Sequence, residues 1–398
     1  MKKDTILTFL AHLIVWMNIV LPSGSLFGIN VKFVILIIFI IYLILFNRSY
    51  ILTKTFLSMI PIICFLMFEI VYAILFKEID TNSMLGQTKD IFIFFTYFYL
   101  LIFYFRNNLI SLSNSIVSAA AFVGILKFIL LFYGFAFGVS ISELMNNIAQ
   151  YTNTAIMTLE VSGGFLFRIN YISDSIISVA VFYLLTEIYN AKKIDKFMLI
   201  KFIALSFSAL ITMSRYQWAA YLMSIILTNL LYFKSKKAIA TLIISSVFIF
   251  IVLLQESVQE MILLRFDSKT VDVSDIERVI QKNSIFSAIY DSPLLGNGIG
   301  YYIPNLIRSD VAKYLYELQI PALIMQFGVL GFIILLLITL FPLFNNLKRK
   351  NVLWLIVYCC VIGIWLGGAM INAILFSSSS ALVFVLIYIY SQKSRLEN

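Results

Sequence analysis

Only 12% of the 398 residues are charged, so the placement of each charge carries information. Arg215 lies in Thr212-Met213-Ser214-Arg215-Tyr216-Gln217-Trp218, a short break between two apolar runs. A guanidinium this close to hydrocarbon is expensive and marks a functional position by default. Its planar fork of donors suits a phosphate or pyrophosphate. The competing reading is an arginine snorkelling to lipid headgroups beside Tyr216 and Trp218. Arg278 and Lys282 stand four apart, which on a helix puts both cations on one face as an anion clamp. Arg168 closes the segment Gly163-Gly164-Phe165-Leu166-Phe167-Arg168, and either converges on the same cavity or pairs with Asp174. Glu317, in Tyr316-Glu317-Leu318-Gln319, precedes an apolar run, where a helix dipole favours a carboxylate.

Other chemistries are excluded by residue type. His12 is the single histidine and falls in the first apolar run, where a core role suits it, so His-dependent triads and His metal clusters are unavailable. Cys64, Cys359 and Cys360 all sit in apolar runs, which removes a disulfide framework and a C-x-x-C metal site. Gly296-Asn297-Gly298-Ile299-Gly300 echoes a dinucleotide loop but lacks its final spacing and its strand–turn–helix setting. Asp267, Asp272 and Asp275 miss the calcium-loop spacing. No metal and no cofactor is expected. Glu69 and Lys127 are charges inside apolar runs; they pair with each other or line a polar pathway.

These residues must be positioned by membrane helices. The chain is 62% hydrophobic with a mean hydropathy of +0.99, far beyond a soluble domain. A span needs about 20 apolar residues. Twelve such runs occur: 5–21, 29–46, 56–76, 91–105, 116–137, 171–189, 197–213, 216–233, 238–254, 317–344, 352–367 and 371–390. Their lengths suit helices and not barrel strands. The fold expected is therefore all-α: one polytopic membrane domain over 1–398 with about twelve transmembrane helices.

Met1-Lys2-Lys3 and the apolar run after it read as a retained first span, since no small-residue cleavage site follows. With the N-terminus cytoplasmic, the inside segments hold 16 of the 29 Lys and Arg, the positive-inside pattern. Both termini then lie inside, and the net charge of +9 reflects topology and implies no nucleic acid. Two long connections fall outside, 138–170 and 255–316. The second follows span nine and holds an expected amphipathic helix at 275–290. Ser274 and Glu277 would form its capping box, Pro293 would stop it, and Ile276, Val279, Ile280, Phe286 and Ile289 would be its apolar face. The serines at 377–380 and the Gly363/Gly367 pair read as small residues that let helices approach.

The outer S-R-x-x-W turn at 214–218, Arg278 followed by Ser292-Pro293-Leu294-Leu295-Gly296-Asn297-Gly298-Ile299-Gly300, and Glu317 leading to Phe327-Gly328-Val329-Leu330-Gly331 together resemble the O-antigen polymerase (Wzy) and O-antigen ligase superfamily. The resemblance is motif-specific over 212–218 and 274–331 and rests on topology elsewhere. It implies an enzyme of the bacterial inner membrane, a glycosyltransferase working at the periplasmic or outer face. Its donor and acceptor would be oligosaccharides on undecaprenyl pyrophosphate, and a chain-length regulator is a possible partner. In the ligase branch a histidine stands about eleven residues before the Gly-x-x-Gly element. Here that place holds Glu317, which favours the polymerase branch. The leaving group is a lipid pyrophosphate, which preorganised cations stabilise without a metal. The resemblance thus assigns Arg215 and Arg278 to the pyrophosphate, with Arg168, Arg265 and Lys282 in support. Glu317 would orient or deprotonate the acceptor hydroxyl. Tyr301, Tyr302 and Tyr314 would stack on sugars, or belong to an interfacial aromatic belt. A ligase, or a flippase for the same lipid-linked sugar, are the alternatives. The flippase is disfavoured because the polar mass is asymmetric and no two matching halves are visible.

Overall fold

The structure, a computed structural model, describes residues 2–26, 28–152, 157–160, 167–253, 259, 268–307, 312–344, 351–370, 372–373 and 375–396. Fourteen α-helices occur among them: α1 (Lys2–Val20), α2 (Val31–Leu45), α3 (Ser49–Phe76), α4 (Thr81–Tyr104), α5 (Leu109–Phe137), α6 (Ile141–Thr152), α7 (Ile176–Asn190), α8 (Lys196–Ile211), α9 (Arg215–Leu231), α10 (Lys236–Leu253), α11 (Ser268–Asp291), α12 (Gln319–Phe344), α13 (Val352–Gly368) and α14 (Ser378–Leu396). Each of the twelve apolar runs is occupied by one of these helices. The remaining two, α6 and α11, lie in the two long connections. Among the described residues, four segments are long and apolar enough to cross a membrane: Ser49–Phe76, Leu109–Phe137, Ile172–Asn190 and Gln319–Phe344. Shorter apolar helices stand beside them.

Short polar side chains start the helices where the sequence turns. Asn30, Asp80, Asn108, Ser214 and Asn351 each accept a hydrogen bond from a first-turn N–H of the helix that follows, which satisfies donors that lack a helical partner. The bundle closes around α14. Ala381 to Ile387 are completely buried there, and that helix packs on α1, α4, α5, α7, α12 and α13. A helix apolar on all sides belongs in such a position. By contrast α3 and α12 bury only part of their surface, and the rest is apolar and outward-facing. Helices α5 and α8 approach closely at Gly124, where a Cβ would collide with the Ala204 carbonyl.

Several expectations change at this level. The last apolar run was read as a span from 371, but its helix begins at Ser378, because the Ser377 hydroxyl accepts the Ser380 N–H at 3.0 Å and starts the helix there. The serine run is therefore a helix start with packing duties. Ser379 Oγ donates to Asn18 O at 2.9 Å, and Ser380 Oγ accepts from Trp365 Nε1 at 2.7 Å. Gly367 lies against Tyr216, whereas nothing approaches Gly363. Glu69 and Lys127 do not pair with each other. Lys127 Nζ is 2.7 Å from both oxygens of Asp174, and the pair is buried between α5 and the start of α7. Glu69 is buried in α3 with no hydrogen bond to its Oε2 among the described residues. His12 Nε2 lies 3.3 Å from Ser111 Oγ, inside the bundle.

Helix α11 starts at Ser268, six residues before the expected cap. Ser274 thus lies inside the helix and not at its start; no Gly or Pro separates it from Ser268 to force a later start. The helix does end just before Pro293, as its sequence requires.

Candidate functional site

The Pro-Leu-Leu-Gly-Asn-Gly-Ile-Gly segment is built into a broken helix. Gly328, inside α12, has φ 68° and ψ 176°, so the helical hydrogen-bond ladder is interrupted there. The carbonyls freed by the break take new donors: Asn297 N–H donates to Met325 O at 2.9 Å, and Gly298 N–H to Gln326 O at 2.8 Å. On the other side of the break, Val329 N–H donates to Pro293 O at 2.9 Å and Leu330 N–H to Leu294 O at 3.2 Å. In hydrocarbon such groups must be satisfied internally, and this segment supplies the partners. Side chains are excluded from the crossing. A Cβ on Gly328 would overlap the Leu294 carbonyl, and one on Gly296 would overlap the backbone of Gln326 and Gly328. Both glycines have positive φ, which only glycine adopts readily. The glycine spacing that echoed a dinucleotide loop is thus a backbone splice.

Buried amides extend the splice. Gln326 Nε2 donates to Tyr301 O and to Tyr314 O, each at 3.0 Å. Gln326 Oε1 accepts from Gln87 Nε2 at 2.6 Å, and Gln87 Oε1 accepts from the Gly300 N–H at 2.6 Å. Tyr314 is buried and its hydroxyl donates to Asp90 Oδ2 at 2.6 Å. Burial, with the neighbouring Asp90 charge second, pushes that hydroxyl well above the usual tyrosine range. Of the side chains in this network the sequence singled out only Tyr314; Gln87, Asp90 and Gln326 were absent from the expected site. Gln87 and Gln326 did carry a signal, since carboxamides are conspicuous in otherwise apolar helices.

The splice fixes α11 against the start of α12. Ile285 and Ala288 pack with Tyr316, Ala322 and Met325, with Tyr301 and Tyr302 half-buried at the margin. The buried face of α11 therefore runs through Gln281, Ile285 and Ala288. Four of the five residues of the expected apolar face point outward, Ile276, Val279, Ile280 and Phe286 being exposed, while Ile289 packs against the buried cluster. An exposed apolar stripe on a helix beside membrane spans suits contact with the bilayer interface.

This packing brings Arg278 to Glu317. Arg278 Nε donates to Glu317 Oε2 at 3.2 Å, and the two side chains keep 31% and 27% of their surface exposed. Cation and carboxylate, 39 residues apart in sequence, thus meet at an open position. Lys282 is exposed one turn further along α11. Tyr302 lies under Lys313 Nζ, 5.2 Å from the ring centre.

A second corner holds Arg168 and Arg215. Arg168 projects from an antiparallel hairpin, β3 (Met157–Glu160) with β4 (Phe167–Asn170), opposite Leu159. Its Nε donates to Thr212 O at 3.2 Å, on the turn that leads to Arg215. The alternative Arg168–Asp174 pair does not form, because Asp174 is held by Lys127 and by the Tyr171 N–H. Arg215 begins α9, half-exposed, directly after the Ser214 cap.

Both corners rest on the last turns of α13. Tyr216, next to Arg215, donates its hydroxyl to Ile364 O. Ile320, three residues after Glu317, donates its N–H to Ala369 O at 3.3 Å. The structure thus places Arg168, Arg215, Arg278 and Glu317 at one end of the bundle. Arg265 lies outside the described residues.

Fold and site together define a multi-pass helical membrane protein with Arg168, Arg215 and the Arg278–Glu317 pair at one end of the bundle. The family model described as O-antigen ligase matches residues 200–336, a stretch that includes Arg215, Arg278, the 292–300 splice, Glu317 and Gly328. Over that stretch the match supports the superfamily of O-antigen polymerases and ligases. No curated protein matches the chain significantly.

Proposed function

We propose that the protein is a bacterial inner-membrane polymerase of surface polysaccharide. It would transfer a glycan chain from undecaprenyl pyrophosphate to the sugar of another lipid-linked repeat at the outer face. The observation that carries this reading is the Arg278–Glu317 pair, accessible and at the same bundle end as Arg168 and Arg215. Twelve crossings with both termini inside would put that end outside, in keeping with the basic residues of the opposite loops.

The chemistry asks for what the site contains. Departure of a lipid pyrophosphate develops charge on phosphate oxygens, and preorganised guanidinium groups stabilise it. Arg215 and Arg278 take that role, with Arg168 and Lys282 beside them. Glu317 orients the attacking hydroxyl or removes its proton, and its contact with Arg278 sets donor and acceptor chemistry side by side. The step breaks the bond between the anomeric carbon and the pyrophosphate oxygen and forms a bond from that carbon to the acceptor oxygen. The acceptor proton leaves to the carboxylate or to water. Tyr301 and Tyr302 would contact sugar rings.

The family model's own description favours a ligase as the second reading. Glu317, standing where that branch keeps a histidine, favours the polymerase. Purified protein supplied with lipid-linked repeats alone separates them. A polymerase makes a ladder of longer lipid-linked chains and releases undecaprenyl pyrophosphate. A ligase makes none until a separate glycolipid acceptor is added, and a flippase changes sidedness with no change in chain length. Either of the last two outcomes overturns the proposal.

A further inference from the structure

The end of the bundle opposite the arginine cluster carries a polar pocket of about 350 Å³, bounded by α1, the α2–α3 turn, α3 and the α4–α5 turn. Its cations are Arg48, Lys54 and Arg106 and its one carboxylate is Asp4. Asp4 is taken by Arg48 at 3.0 Å. Lys54 and Arg106 are exposed and make no ion pair among the described residues, Lys54 standing 5.8 Å from the Tyr50 ring centre. The pocket therefore presents two uncompensated positive charges. On its wall Thr8 donates to Asp4 O at 2.8 Å and lies 2.9 Å from the Tyr104 hydroxyl, so these two groups bond to each other and the cations are left to meet a ligand.

Directly beside it, across Phe103, which lines both, runs an apolar groove of about 570 Å³. The groove follows α3 and α4 along the bundle from the pocket: Lys54 lines the pocket, while Leu57, Ser58 and Pro61, on the next turns, line the groove. Its far walls are the end of α12 and Tyr388 of α14. Pro61 and Pro342, the prolines inside α3 and α12, both line it. Leu57, Leu337 and Phe341 are exposed on its rim, so the groove opens sideways toward lipid.

A small cationic pocket next to an apolar groove, with Phe103 lining both, has the shape and charge of one kind of ligand. We propose that this double cavity binds an anionic phospholipid, with the headgroup phosphate on Lys54, Arg106 and Arg48 and one acyl chain in the groove. Charge complementarity selects the anionic headgroup, and the apolar groove adjoining at Phe103 selects a phosphate that carries a chain. The site rests on the membrane fold alone and is independent of the transfer reaction at the other end.

The test titrates the purified, delipidated full chain with phosphatidylglycerol, with phosphatidylcholine and with inorganic phosphate, and counts bound molecules by native mass spectrometry. Phosphatidylglycerol should bind about tenfold more tightly than phosphatidylcholine, as expected for a juxtamembrane cation pair facing an anionic headgroup. Lys54→Gln with Arg106→Gln should remove that preference. Ser58→Trp, which fills the groove, should weaken phosphatidylglycerol while leaving any phosphate binding unchanged. Equal binding of the two lipids by the wild type overturns the proposal, even should the variants fail to fold. Phosphate binding as tightly as phosphatidylglycerol, with Ser58→Trp without effect, reduces the site to a free-phosphate pocket and overturns the lipid assignment.

Discussion

Replacing Gln326 with Met removes an amide from the splice and keeps the length of the side chain. Three partners lose a hydrogen bond: the carbonyls of Tyr301 and Tyr314, and Gln87 Nε2. The bonds to Tyr314 O and Gln87 are buried, and that to Tyr301 O is partly buried. A lost neutral hydrogen bond costs about 1 kcal/mol, and more when its partner stays buried and unpaired. The three together cost on the order of 3 kcal/mol, which is about a hundredfold in a local opening equilibrium. The N–H groups of Gly298 and Gly300 report that opening, because their acceptors are Gln326 O and Gln87 Oε1. Hydrogen exchange on the purified protein should therefore show protection of the 297–301 peptide falling about a hundredfold in Gln326→Met. The buried centre of α14, remote from the splice in the chain, should keep its protection. Transfer activity should fall in parallel, because the same splice holds α11 against Tyr316 and so Arg278 against Glu317. Unchanged protection of 297–301 would refute the assignment of the amides as the fastening of this loop.

Gly328→Ala and Gly296→Ala should abolish folded, monodisperse protein in size-exclusion chromatography, because each adds a methyl group into backbone at positive φ, while Gly363→Ala, with open space around it, should be silent. Lys127→Met or Asp174→Asn alone should cost about 3–5 kcal/mol, read as a drop in apparent Tm, since each leaves one buried polar or charged partner; the double change Lys127→Met with Asp174→Leu should recover most of it. Tyr314→Phe removes the hydrogen bond to Asp90 and should cost about 1–3 kcal/mol in the same measurement, with a smaller loss of transfer than Arg278→Ala.

Much of the helical frame was legible because long apolar runs of this kind form helices, and each of the twelve runs holds one, the last only from Ser378. Pro293 marked the end of α11 for a reason local to the chain. The start of α11 was not local: Ser274 and Glu277 fit a cap, yet nothing upstream stops the helix from continuing back to Ser268. Its buried face was misread for a different reason. In a lipid-facing protein apolar residues line the outside as readily as the inside, so Ile276 and Phe286 could not be told from Ile285 by polarity. Arg168, Arg215, Arg278 and Glu317 stood out singly as charges beside apolar runs. The pairing of Arg278 with Glu317, of Lys127 with Asp174 across 47 residues, and of Gln87 with Gln326 across 239 depends on how the bundle closes, which no local pattern encodes. The glycines at 296 and 328 were visible as a motif, but their function as a splice needed the break in α12.

The central claim is that Arg278 and Glu317 act together on the substrate. The direct test is single-turnover transfer from a lipid-pyrophosphate-linked oligosaccharide by the wild type, Arg278→Ala, Glu317→Gln, Glu317→Ala and the charge swap Arg278→Glu with Glu317→Arg. Each must first show the wild-type elution profile. The account predicts a loss of about a hundredfold in Arg278→Ala, equivalent to about 3 kcal/mol of charge stabilisation. Glu317→Gln should lose as much if the carboxylate takes the proton, and less than Glu317→Ala if it orients the hydroxyl. The charge swap should stay inactive, because each group meets a different part of the reaction. Recovery of normal transfer in the charge swap would reduce the pair to a structural tie between α11 and α12, and normal transfer in Arg278→Ala would contradict the account outright.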